Sequence, residues 1–116
     1  MKLEDARAYC LALPKATEGM PFGGDTLVFK IGGKMFACLS LDEPDKLVVK
    51  CDAERAASLR EQYPEAIEPA FHFNKRYWNQ MWMSQLTDSF IRQEIDSSYS
   101  LVVSKLTGKE RAALGL

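Results

Sequence analysis

Apolar residues at the start of the chain recur at three- and four-residue steps. Leu3, Ala6, Cys10 and Leu13 fall on one stripe, which predicts an amphipathic helix over about residues 3–12. Pro14 ends it, because its ring has no N–H to donate and clashes with the preceding turn. KATEGMPFGGD, residues 15–25, follows as a loop bearing Gly and Pro. The period then changes to two. TLVFKI (26–31) and KMFACLSL (34–41) are β-rich runs on either side of Gly32-Gly33, a dipeptide suited to a type I′ hairpin turn with positive φ at both centres. A two-residue turn pairs Phe29 with Phe36 and Leu27 with Cys38 on one face, leaving Val28, Lys30, Met35, Ala37 and Leu39 on the other. Both faces are largely apolar, so partial cover on both sides is expected.

After the turn DEPD, KLVVKC (46–51) alternates more cleanly. Leu47, Val49 and Cys51 point one way, and Lys46, Val48 and Lys50 the other. Asp52 is suited to cap a short helix that Pro64 closes. A second loop, PEAIEP, leads to two further strands, about 70–73 and 77–83, around Asn74-Lys75-Arg76. Thr87 or Asp88 caps a last long helix, 88–106, with Ile91, Ile95, Ser98, Val102 and Leu106 on its inner stripe and Phe90 and Leu101 widening it. Gly108 breaks it, and KERAAL forms a closing helical turn. The order α-βββ-α-ββ-α implies one α+β domain over residues 1–116, an antiparallel sheet with helices packed on it.

Composition agrees with that class. The chain has 116 residues, 47% apolar and 27% charged, enough for one core. Its net charge of −1 counts against a nucleic-acid partner unless positive charge is segregated, since phosphate binding rests on released counterions. Cys10, Cys38 and Cys51 are odd in number and far apart, which supports neither a disulfide framework nor a zinc site. No apolar run approaches the ~20 residues that span a bilayer, and the acidic N-terminal stretch does not resemble a signal peptide. The expectation is a cytoplasmic protein with no membrane contact.

Candidate chemistry concentrates in AFHFNKRYWNQMWM, residues 70–83. The stretch holds five of the chain's aromatics, its only histidine, both tryptophans, Lys75-Arg76 and no acid. His72 stands alone, without a visible nucleophile or orienting carboxylate, so a structural or contact role is favoured over catalysis and no enzyme is expected. Gly23-Gly24 and Gly32-Gly33 precede strands rather than helices and read as turns, not phosphate cradles. Asp42-Glu43-Pro44-Asp45 reads as a solvated turn, and no metal or cofactor is expected. If the hairpins bring Lys75-Arg76 and the Lys30–Lys34 turn together, a local basic surface exists despite the acidic balance. The competing reading assigns the aromatics to the core and the lysines to a solvated rim that protects strand edges.

PFGGDTLVFKIGGKMFACLSL, LVVKCDAERAASLREQYP, HFNKRYWN and SYSLVVSKL, taken in order over nearly the whole chain, resemble the bacterial MmcQ/YjbR family. The resemblance implies a fold similar to CyaY/frataxin-like domains and DNA binding through two β-hairpin wings. It assigns one wing to the strands around Lys30 and Lys34, and the other to His72, Asn74, Lys75, Arg76 and Trp78. Iron does not carry over, because the first helix sets only Glu4 and Asp5 against Lys2 and Arg7. The expected partner is DNA, bound by a monomer with little sequence preference. The alternative is a protein- or small-ligand-binding module that uses the aromatic strand.

Overall fold

The hairpin at Gly32-Gly33 organises the sheet. In the computed structural model, which describes residues 1–116, both glycines have positive φ (61° and 78°) and Ile31 pairs with Lys34 across them. The chain runs α1 (Leu3–Ala12), β1 (Thr17–Gly19), β2 (Thr26–Ile31), β3 (Lys34–Ser40), β4 (Lys46–Lys50), α2 (Ala53–Gln62), β5 (Ile67–Pro69) and β6 (Trp78–Trp82). A 3-10 turn (Met83–Gln85), α3 (Asp88–Ser104) and α4 (Gly108–Leu114) follow. The six strands form one antiparallel sheet in the order β1-β2-β3-β4-β6-β5.

Register makes one face apolar from edge to edge. Leu27, Leu39, Leu47, Met81 and Ile67 lie in a row across five strands, and all are buried in the main core. α3 covers this face through Ile91, Ile95, Ser98 and Val102, the stripe read from the sequence. α1 contributes Ala6 and Cys10. α2 is capped by Asp52, whose carboxylate accepts from the Glu54 and Arg55 amides, and adds Ala56 and Leu59. No helix is long and apolar enough to cross a membrane.

The sequence register of the hairpin is overturned by a β-bulge. Phe29 pairs with Ala37 while Lys30 pairs with Met35, so Phe36 is an extra residue in β3. Leu27 therefore faces Leu39 rather than Cys38. Ala37 and Leu39 turn into the core, and Cys38 and Met35 turn outward. Packing explains the choice. Phe36 stands edge-on to Tyr99 of α3 at 5.4 Å, and its carbonyl accepts a 2.6 Å hydrogen bond from the Ser98 hydroxyl. The Ser98 hydroxyl oxygen in turn accepts from the Lys50 amide at 2.8 Å, so Ser98 joins β3 and β4 beside the bulge.

Four further differences have local causes. β1 forms within the predicted loop, because Thr17, Glu18 and Gly19 find partners on the edge of β2. The second hairpin begins at 67–69, not 70–73, and residues 70–77 are turns. Pro69 can end an edge strand because it has no ladder amide to donate. Helix α3 stops at Ser104, and Gly108 opens α4 instead of merely breaking the chain, with Thr107 and Glu110 closing a reciprocal capping box. Glu94, on the inner side of α3 and only 2% exposed, is held by the two guanidinium nitrogens of Arg55 from α2, one of them at 2.8 Å.

Two stability predictions follow from the hairpin. Ser98→Ala strips two backbone groups of their partner and is expected to cost about 2–3 kcal/mol, read as a lower urea midpoint with an unchanged slope. A loss below about 0.5 kcal/mol would contradict the bridging role. A Cβ on Gly32 would sit 3.0 Å from Leu106 Cδ2, whereas Gly33 has open space. Gly33→Ala is expected to cost about 1 kcal/mol for left-handed backbone alone, and Gly32→Ala clearly more.

Candidate functional site

The second face of the sheet has no helix over it. Val28, Cys38, Val48, Gln80 and Glu68 form its central row, with Gln80 Nε2 donating to Glu68 at 2.6 Å. Cover comes from the 70–77 loop, whose Ala70 and Phe73 pack with Val28, Cys38, Val48, Met35 and Trp78 into a second, small cluster. Trp78, Gln80 and Trp82 share this face, as alternation predicts, while Met81 enters the main core. Phe71 stays outside, 58% exposed.

Strand direction sorts the charges on this open face. The turn-proximal ends of β2 and β3, the last residue of β4 and the first of β6 all lie at one end of the sheet. That end of the open face therefore receives Lys30, Lys50 and Trp78, together with the 70–77 loop bearing Lys75 and Arg76, while Lys34, paired with the core residue Ile31, lies at the same end on the helix side, near Glu110 of α4. None of the four cations on this face belongs to an ion pair. Lys50 lies 5.9 Å from the Trp78 ring, Lys75 5.1 Å from Phe71 and Arg76 5.7 Å from Tyr77. The other end, about 13 Å away along β4 at ~3.3 Å per residue, carries Asp25, Asp42, Glu43 and Asp45 on the loops beside it.

The loop that carries Lys75 and Arg76 is braced from several sides. Arg60 of α2 donates to the Lys75 carbonyl at 3.3 Å and to Asn79 Oδ1 at 2.8 Å, and Asn79, 2% exposed, donates on to the Ala56 carbonyl. The Cys51 amide donates to the Tyr77 carbonyl at 2.8 Å. Asn74 Oδ1 accepts the Arg76 amide at 3.1 Å, a local turn bond. Asn74 thus shapes the turn. Trp78 is half-buried beneath Phe73, whose ring centroid is 5.3 Å away, and acts as a support rather than an open stacking surface. His72 points elsewhere, lining a cleft of about 590 Å³ along the open face.

Of the residues singled out in the sequence, Lys30, Lys75, Arg76 and Trp78 come to one end of the open face, and Lys34 lies at that end on the opposite face. His72 faces the cleft and Asn74 serves its turn. Lys50 completes the cationic end and was not among the candidates. Its signal was present, since it alternates with Lys46 and Val48 on one side of β4. The cleft had no signal at all, because it depends on three separate loops. Cys38, on its floor, is an inert thiol, since burial pushes its pKa up to about 11.

Comparison with known proteins places these features in a family. The YjbR family model matches residues 11–101. The uncharacterised Escherichia coli O157:H7 protein YbdF is 32% identical over 110 residues, covering 93% of this chain and 89% of its own. The crystal structure of Deinococcus radiodurans DR2400, which carries the DUF419 domain, superposes with a TM-score of 0.91 at 35% identity, over 98% of this chain and 88% of that one. A Pseudomonas syringae protein shares the fold, with a TM-score of 0.74 at 22% identity, over 87% of this chain and 98% of its own.

At the acidic end, Asp42 is held above the ordinary carboxylate range, first by a hydrogen bond shared with the Asp25 carboxyl and then by repulsion from it. A folded-state pKa above the unfolded one favours the protonated form. Its stabilising contribution is full below the unfolded value of about 3.9 and is lost as pH rises through the folded value. Asp42→Asn is therefore expected to raise stability at pH 7 relative to the parent, with the gap closing below about pH 3.5. Chemical denaturation at the two pH values measures it.

Proposed function

The chain belongs to the MmcQ/YjbR family, and we propose that within it this protein is a nucleic-acid-binding domain that grips the DNA backbone without a catalytic step. The observation that carries this reading is the gathering of Lys30, Lys50, Lys75 and Arg76, none of them in an ion pair, at one end of the sheet face that no helix covers. Segregation answers the objection raised by the net charge of −1. A local positive field about one Debye length across attracts phosphates even when the molecule as a whole is slightly acidic.

The geometry favours backbone contact over base readout. From β2 to β6 is three strand spacings, roughly 14 Å at ~4.8 Å each, so Lys30 and the 70–77 loop are spaced to meet phosphates on the two edges of one groove, about 12 Å across. Neither α2 nor α3 presents a free face of Arg, Asn and Gln at this end that would enter a major groove. Arg76 and Lys75 lie on aromatic rings, which limits their rotamers and lowers the entropy lost on binding. His72 and Asn74 leave the proposed contact set, the first because it faces the cleft and the second because its carbonyl is already engaged.

Titration of a duplex by fluorescence anisotropy at several salt concentrations tests the proposal. Four phosphate contacts predict a slope of log K against log salt of about −3.6, an affinity loss of about two orders between 50 and 200 mM. Lys75→Ala/Arg76→Ala is expected to weaken binding at least tenfold on every sequence and to reduce the slope by about 2. No binding at 50 mM salt, or an unchanged slope in the double variant, would overturn the reading.

A further inference from the structure

The acidic half of the open face holds the cleft of about 590 Å³, and nothing in the DNA reading uses it. Its floor is the β-sheet, with Cys38, Val48 and Gln80 beneath it. Its two walls come from different parts of the chain. Phe22, 66% exposed on the loop before β2, forms one; His72 and Phe73 of the 70–77 loop form the other. Asp25 and Asp42 close one end. We propose that this cleft binds a small organic cation, an ammonium or amidinium group carried on a flat or short apolar body.

Size, shape and charge each narrow the ligand. The volume falls in the range of ordinary small-molecule sites, ~300–1,000 Å³. Val48, Cys38 and Phe73 offer an apolar bed, and an exposed phenyl ring opposite them at Phe22 supplies a second surface for a planar group. Charge then selects the sign. Lys46 is tied to Glu43 at 2.9 Å and lies on the Trp82 ring, so it neutralises that acid and no other. Asp25 and Asp42 both line the cleft and belong to no ion pair, so a ligand cation between them meets two carboxyl groups with no competing cation. Phosphates and carboxylates are repelled by the same pair and are excluded. Phe22 and Phe73 add cation–π attraction for a charge near either ring.

The test needs no knowledge of the natural ligand and is separate from DNA binding. Phenethylammonium, and 3-phenylpropanoate as its anionic counterpart of similar shape, are titrated against the isotopically labelled full chain while backbone amide shifts are followed. Saturable shifts at Thr26, Ser40, Val48 and Gln80 are expected for the amine only, with binding in the millimolar range or tighter. Phe22→Ala and Asp42→Asn, both at exposed positions, are each expected to weaken it about five- to tenfold, and the amide spectrum itself reports that each variant is folded. Lys75→Ala/Arg76→Ala should leave amine binding unchanged. Equal binding of the carboxylate, shifts confined to other surfaces, or no saturable shift by 10 times a ~1 mM dissociation constant would each overturn the proposal.

Discussion

One extra residue in β3 decides which residues of that strand face the core. A two-residue turn at Gly32-Gly33 alone would send Ala37 and Leu39 to the outside and Cys38 to the core. The bulge at Phe36 reverses that assignment. It aligns Leu27, Leu39, Leu47, Met81 and Ile67 in one continuous apolar row for α3 to cover. The bulge has a cost, because it takes the Phe36 carbonyl and the Lys50 amide out of the strand ladder. Ser98 meets both with a single hydroxyl, and Tyr99 beside it packs edge-on against the Phe36 ring. The helix thereby holds the bulge in place, and the bulge in turn gives the helix its seat.

The open face is the other consequence of that register. Because β4 runs from Lys46 to Lys50 between antiparallel neighbours, the two ends of this face acquire opposite character without any long-range design. Cations collect where the β2–β3 turn, the end of β4 and the 70–77 loop meet. Acids collect where the 20–25 loop meets the β3–β4 turn, with the Leu41 amide donating to the Asp25 carbonyl at 2.8 Å. A chain with a net charge of −1 can therefore present a positive end. Average charge says little about a partner when strand polarity sorts the residues.

Much of this was legible in the sequence. Period-two alternation placed Lys46, Val48 and Lys50 opposite Leu47 and Val49, and the 3.6 period found the inner stripe of α3 down to Ser98. What escaped has a common physical cause. A bulge leaves no mark in a hydrophobic pattern when both faces are apolar, as they are from Val28 to Leu39. The burial of Glu94 left no local mark, because its partner, Arg55, is 39 residues away. The strand at 67–69 was hidden by Pro69, which reads as a loop residue until it is seen at the sheet edge with no amide to donate. The cleft lay beyond any local pattern, since Phe22, Asp42 and Phe73 meet only in three dimensions.

The 70–77 loop is where the two halves of the face are physically joined. Its first half lays His72 and Phe73 along the cleft, and its second half carries Lys75 and Arg76 to the cationic end. It is not a floppy connector. Arg60 holds its Lys75 carbonyl, Asn74 pins the Arg76 amide, and Phe73 rests on Trp78, which in turn lies beneath Lys50. A group pressing on Phe73 therefore acts on a short, braced segment with Trp78 between it and Lys50. The aromatic stretch of residues 70–83 is thus one braced element that lines the cleft with one part and carries the cations with another.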